Sequence, residues 1–509
     1  MGLRLRIRLP HKSSPRTPTY LLPCVLALSF FSFTALLVEQ VDDFVAQTKT
    51  PAGHNLEPTP WHLFPRKSFS EATRHSQAYR IIQCSYFSCP YNAGGKTETP
   101  RWVSSGSAHL RNRQQHQCPD FFRWIHRDLE PWSKTGVTEK HVEGAKAYAA
   151  FRVLILSGKL YVDLYYACVQ SRMMFTIWGF LQLLKKYPGL VPDVDMMFDC
   201  MDKPIINRTE HRSFPVPLFR YCTNDVHFDI PFPDWSFWGW SETNIRPWEE
   251  EFGDIKQGSR RRSWDNKIPR AYWKGNPDVE SPVRLELLKC NHSRRWGAQI
   301  MRQNWVEEAK AGFEQSKLSN QCNHRYKIYA EGYAWSVSLK YILSCGSMTL
   351  IITPEYEDFF SRGLVPKENY WPVSPTDLCR SIKNAVDWGN ASPSKAEAIG
   401  RRGQGYMESI SMNRVYDYMF HLINEYSRLQ TFNPRKPSSA KEVCPESLLC
   451  FAEQKERELL EKSTAELSRD PPCKLPEVDS ELMERWIQRK KKTIEDVRSM
   501  EMMRTEGST

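Results

Sequence analysis

Residues 321–352, QCNHRYKIYAEGYAWSVSLKYILSCGSMTLII, constrain the fold more than any other stretch of the chain. Residues 326–329 are β-prone and run into the turn Glu331-Gly332. Residues 334–343 then place Trp335, Leu339 and Ile342 at helical spacing, and 347–352 form a short apolar run bounded by Gly346 and Pro354. Such a run suits a buried parallel strand, so the pattern predicts strand, glycine turn, helix, strand. A turn of this kind aims free backbone N–H groups and the positive end of the helix dipole at one point, which favours a phosphate. Ser336 and Lys340 are four apart and share a helix face, where they offer a hydroxyl and a cation. An ordinary βαβ turn that binds nothing has the same pattern.

A second unit of this type precedes it. Residues 271–273 read as a strand, Lys274-Gly275-Asn276-Pro277 as a turn, and Ser281-Pro282 as the cap and first residue of a helix. Arg284 falls in the first turn of that helix. A cation there opposes the dipole unless an anion is also present, which makes Arg284 a candidate phosphate ligand; a surface ion pair is the alternative. Further upstream, Thr138 caps an expected helix over 139–149. Residues 151–156 and 160–164 read as a hairpin, 171–186 as a helix, and 195–198 as a strand. Asp202 follows that strand, where open α/β sheets bind ligands, and can serve as a general base; a turn residue is the alternative. Asp199 and Asp195 are weaker candidates, with Asp195 expected to face solvent. The aromatic run DIPFPDWSFWGW (229–240) is too irregular for a helix. Within it Asp234, Trp235 and Trp238 are candidates for contacting an acceptor or a sugar ring, and padding of a seam is the alternative.

The net charge of +11 does not point to nucleic acid. Arg4, Arg6, Arg8, Lys12 and Arg16 lie within residues 1–19, which hold no acid. Residues 20–38 carry no charge and approach the length of a membrane span. Basic flank followed by apolar run predicts a signal-anchor with a cytosolic tail (1–19), one transmembrane helix (20–38) and everything beyond it lumenal; a cleavable signal peptide is the alternative. Residues 39–114 read as a stem rich in Pro, Ser and Thr. The chain has 14 cysteines, so in an oxidising lumen several disulfides are expected, with an odd thiol left over. No second C-x-x-C completes a zinc site with Cys84 and Cys89. Asn207, Asn291 and Asn390 head glycosylation sequons. After residue 432 the chain becomes rich in Lys, Glu and Arg, and 433–509 reads as exposed helices or a partly disordered tail.

Taken in order, MFDCMDKP (197–204), DIPFPDWSFWGW (229–240), AYWKGN (271–276) and YAEGYAWSVSLKYILSCGS (329–347) resemble glycosyltransferase family 90, the family of Rumi-type protein O-glucosyltransferases and capsule-associated xylosyltransferases. The wording is closest to plant members, and the likeness spans 115–432. It implies a GT-B fold, with an acceptor-side Rossmann-like domain over 115–262 and a UDP-sugar-binding one over 263–432, facing a cleft. It also implies inverting transfer from a UDP-sugar without metal or other cofactor. The family's base falls on Asp202. Its diphosphate and uridine contacts fall on Gly332, Tyr333, Ala334, Trp335, Ser336, Val337 and Ser338, on Gly275 and Asn276, and on Arg284. An aromatic near the donor falls on Trp248, and a disulfide falls on Cys322 and Cys345. Ser338 stands where the Rumi-type branch has arginine, which leaves the diphosphate charge to Arg284 and Lys340. Met201 replaces the first of two adjacent acids found in many plant relatives.

The expected protein is thus a single-pass type II enzyme of the Golgi or endoplasmic reticulum. It would move xylose or glucose to a wall polysaccharide or a glycoprotein, with xylose to a wall glycan favoured by the plant-like wording. A non-catalytic lumenal carbohydrate-binding scaffold of the same fold is the alternative. It predicts loss of the base or of the phosphate cradle, yet Asp202, Gly275, Arg284 and Gly332 are all present.

Overall fold

A computed structural model describes Cys89 and residues 116–506, with side chains through 503. The basic tail, the apolar segment 20–38 and the stem, Cys89 apart, lie outside the described residues. Among the described residues, no helix is long and apolar enough to cross a membrane.

The first sheet is built from β1 (Phe151–Leu156), β2 (Lys159–Leu164), β3 (Val194–Phe198), β4 (Phe219–Arg220) and β5 (Ile230–Pro231). Ser157 and Gly158 both take positive φ, 50° and 75°, and make the two-residue turn that closes β1 onto β2 with Leu156 opposite Lys159. That hairpin, with β3 antiparallel to β1, makes the sheet mixed rather than the parallel Rossmann-like sheet expected; only β3, β4 and β5 run parallel. Asp195 on β3 does not face solvent. It is fully buried and accepts from Arg152 Nε at 2.7 Å and Nη2 at 2.5 Å.

The second sheet holds β6 (Ile268–Gly275), β7 (Ala298–Arg302), β8 (His324–Tyr329), β9 (Met348–Ile352) and β10 (Trp371–Val373). All its pairs are parallel, in the order β10-β9-β8-β6-β7. The chain steps outward from β6 to β7, then back across to β8, so the order reverses between β6 and β8. In open α/β sheets the crevice beyond the carboxyl ends of the strands at such a reversal is where ligands bind.

The helices in chain order are α1 (Trp124–Leu129), α2 (Glu139–Ala145), α3 (Arg172–Lys186), α4 (Trp248–Arg260), α5 (Pro282–Leu288), α6 (Trp305–Lys310), α7 (Ser338–Leu343), α8 (Leu378–Ala391), α9 (Pro393–Ser409), α10 (Met412–Leu429), α11 (Pro445–Phe451), α12 (Gln454–Lys462) and α13 (Ser480–Glu506). Thr138 caps α2 and Ser281 caps α5, as their sequences predict. Two apolar cores result, one against each sheet. Although α10 follows the second sheet in sequence, Val415, Tyr418 and Leu422 belong to the first core.

The segment past 432 is not a solvated tail. Lys441–Val443 forms β11 and pairs antiparallel with β2 at the edge of the first sheet. Leu448 and Leu460 are fully buried in the first core, and Val497 of α13 is buried in the second. Disulfides Cys89–Cys444 and Cys118–Cys473 fasten the segment to the front of the chain. Cys168–Cys200, Cys290–Cys379 and Cys322–Cys345 are also present, and Cys222 is the free thiol among the described residues.

Candidate active site

The reversal between β6 and β8 opens into a cavity of about 180 Å³. Both halves of the described chain line it: Arg172, Asp202 and Trp235 from the side of the first sheet, Gly275, Arg284 and Trp335 from the second. β6 ends at Gly275, where an added Cβ would lie 2.5 Å from the Trp273 indole, so only glycine leaves room for that ring. The chain then passes Asn276 and enters α5 behind the Ser281 cap.

Arg284 sits in the first turn of α5 and is about nine-tenths buried. Its Nη1 donates to Asn276 O at 2.8 Å, and its Nη2 donates to Ala330 O at 3.2 Å and Ser336 Oγ at 3.3 Å. One guanidinium therefore ties the loop after β6 to the loop after β8, while its Nε has no partner among the described residues. Burial pushes its pKa down to about 10. Beside it, burial raises the Glu331 carboxyl to about 8, although backbone N–H groups of Glu355 and Tyr356 donate to it.

Asp202 lies just beyond β3 and the Cys168–Cys200 disulfide. Its Oδ1 accepts from Arg172 Nη1 at 2.8 Å, and the same nitrogen donates to Cys200 O at 3.0 Å. The Arg172 guanidinium lies 4.3 Å from the centre of the Trp235 ring. Trp235 in turn meets Trp240 and Trp335 edge-on at 5.2 and 6.2 Å, so tryptophans from both halves form an apolar wall able to face a sugar ring. Sequence reading missed Arg172, although the signal was there. It opens an apolar helix, QSRMMFTIWGF, with a cation at the N-terminus, the same anomaly that singled out Arg284.

The cavity brings together Asp202, Trp235, Gly275, Asn276, Arg284, Gly332, Trp335, Ser336, Val337 and Ser338. Other expected ligands lie elsewhere. The helix predicted from 334 begins only at Ser338, because Ser336 N donates to Tyr329 Oη and Ser336 Oγ bonds Ser338 Oγ, local bonds that replace a helical turn. Ser336 and Lys340 therefore do not share a helical face. Lys340 is fully buried, 3.0 Å from Asp234 Oδ2 and over the Phe237 ring, so neither Lys340 nor Asp234 reaches the cavity. Trp238 is buried and donates to Tyr416 Oη at 2.9 Å; Trp248 is buried and donates to Ile410 O at 2.6 Å. Both are core residues. Ala334 is buried outside the lining, and the Tyr333 ring lies against the Lys203 ammonium at 4.0 Å. Among the sequon asparagines, Asn291 and Asn390 are exposed and Asn207 is half-buried.

Among the described residues Asp202 is the one carboxylate in the cavity lining, and Arg172 already engages it. The cluster Cys118, His421 and Cys473 is no metal centre, since its two sulfurs are joined as a disulfide.

Residues 113–501 match the model of a family described as glycosyl transferase family 90. The O-glucosyltransferase rumi homolog of Aedes aegypti is 25% identical over 345 residues, 65% of this chain and 83% of that protein. O-glucosyltransferase rumi of Drosophila melanogaster is 24% identical over 361 residues, 68% of this chain and 84% of that protein. Protein O-glucosyltransferase 1 of Homo sapiens is 24% identical over 273 residues, 51% of this chain and 69% of that protein.

Proposed function

Because the chain belongs to glycosyl transferase family 90, we propose that it is an inverting, metal-independent enzyme that moves glucose or xylose from a UDP-sugar to a hydroxyl of a glycoprotein or glycan. The observation that carries this reading is one cavity, at the strand reversal, lined by the Asp202 carboxylate and the Arg284 guanidinium. A single carboxylate with a cation across the cavity suits proton abstraction opposite a leaving anion. In this assignment the two sheets are the halves of a GT-B enzyme, with the acceptor on the Asp202 side and the nucleotide on the Arg284 side.

The acceptor hydroxyl gives its proton to Asp202. Arg172 holds Oδ1, which leaves Oδ2 to take the proton. The acceptor oxygen bonds to the anomeric carbon as the bond to the diphosphate oxygen breaks, and UDP leaves with the electron pair. Arg284 and the backbone N–H groups of the 332–338 loop, apart from those of Trp335, Ser336 and Ser338, which bond within the protein, meet the charge that develops there. Divalent ions at nucleotide sites are commonly held by one or two carboxylates, and the one carboxylate here is engaged by arginine.

The names of the relatives favour glucose and a protein acceptor over xylose and a wall glycan. Five disulfides among the described residues favour the secretory pathway. A type II anchor at residues 20–38, in the Golgi or endoplasmic reticulum, completes the assignment. The test is a donor screen on the full-length protein, with released UDP as readout, with and without EDTA. Turnover of UDP-glucose or UDP-xylose that survives EDTA is expected. UDP binding without turnover of any donor would leave a carbohydrate-binding scaffold instead.

A further inference from the structure

Lys327 lies two residues before the end of β8, with only 3% of its surface exposed, and it lines the cavity. Its ammonium rests 4.6 Å from the centre of the Tyr272 ring. Its one hydrogen-bond acceptor among the described residues is Gln321 Oε1, at 3.5 Å, the far limit for such a bond. Among the described residues no carboxylate pairs with it. The charge that bears on it is another buried amine, Lys267, which donates to Cys345 O at 3.0 Å and Ser347 Oγ at 3.1 Å. Burial and that like charge push the Lys327 amine down to about 7. Buried lysines are ordinarily paired, because an unpaired ammonium in a low-dielectric interior is costly.

The same cavity carries other unspent donors. Gln303 Nε2, Trp335 Nε1 and Arg284 Nε are buried without partners among the described residues, and all three side chains line it. Its one carboxylate is spoken for by Arg172. A ligand that brings acceptors and negative charge would satisfy these donors and balance the charge. We propose that Lys327 is the second cation of the nucleotide site and holds a phosphate oxygen of the donor's diphosphate, the role that residue spacing had given to Lys340. This inference rests on reading the cavity as a UDP-sugar site. An anion within reach reverses the balance that burial sets on the amine, so the ligand itself keeps Lys327 protonated.

The test measures binding of UDP and of uridine to the full-length protein by calorimetry, for the wild type and for Lys327→Met. Methionine fills the same space without the charge, and Lys327→Gln serves if the Met variant does not fold. UDP should bind about tenfold or more weakly to the variant, with uridine affinity changed by less than about twofold. Unchanged UDP affinity in the variant removes Lys327 from the site while leaving the nucleotide reading intact. An equal loss for uridine and UDP overturns the phosphate contact in favour of a base contact or a structural role. A wild type that binds no UDP removes the nucleotide reading itself, and this inference with it.

Discussion

Asp202, Arg172 and Arg284 are three side chains whose separate tasks can be measured apart. Replacing Asp202 by Asn keeps the shape of the group and removes its ability to take a proton. UDP affinity should stay within about threefold of wild type while transfer falls by about a hundredfold or more, as for loss of a positioned base. Arg284→Ala should weaken UDP by about ten- to a hundredfold, the scale of a charge-assisted hydrogen bond, as read by calorimetry. Lys340 should behave differently, because it belongs to the interior. Lys340→Met leaves Asp234 buried and unpaired and should cost about 3–5 kcal/mol of stability in chemical denaturation, without changing UDP affinity. Lys327 has its own signature in the unliganded protein. Its folded pKa, about 7, lies below the ordinary lysine value of 10.5. Between those two values the unfolded chain holds a proton that the folded chain does not, so this residue's contribution to stability rises with pH across that window. The stability that Lys327→Met gains over wild type should therefore be at its full value at pH 7 and below and shrink toward pH 10.

At the scale of elements, the site depends on two loops that leave adjacent parallel strands. Ser281 joins them: its Oγ accepts from Arg284 N to cap α5 and donates to Glu331 O at 2.9 Å. Ser281→Ala should cost about 1 kcal/mol or somewhat more, as loss of a cap, and should weaken UDP because Arg284 rides on the first turn of that helix. A thermal melt and a UDP titration of the same variant check both. The hairpin β1–β2, the capped α2 and α5, and strands β3, β6, β8 and β9 were legible in the sequence, because each carries its own local signal of residue type and spacing. The start of α7 was not. Residues 334–337 have helical spacing, but Tyr329, from the preceding strand, supplies a competing hydrogen-bond acceptor that no local pattern records.

At the scale of the molecule, the chain closes on itself. β11 covers the edge of β2, α10 returns to the first core, and α13 reaches the second. The Cys89–Cys444 and Cys118–Cys473 bridges each span 355 positions. Residues 433–506 are thus part of the enzyme's body. Ending the chain after residue 432 should give insoluble protein, and Cys118→Ser with Cys473→Ser should lower stability by about 2–5 kcal/mol in equilibrium unfolding. Lys/Glu/Arg-rich composition concealed this because a few buried side chains, Leu448, Leu460 and Val497 among them, dock these helices while their charged faces stay wet.

The sequence alone determined the strand–glycine–helix units, the caps, and the ordered motifs around Asp202, Gly275 and Gly332, since these follow from residue type and short-range spacing. Only the tertiary structure decided which charges reach the cavity. Lys340 and Arg284 look alike in the sequence, each a cation in a helix that follows a strand and a glycine turn. Lys340 meets a buried Asp234 more than a hundred residues away, while Arg284 and Lys327, which has no carboxylate partner among the described residues, open on the cavity. Whether a charge is neutralised inside the fold or left for a ligand depends on groups distant in the chain, and that is a property of packing.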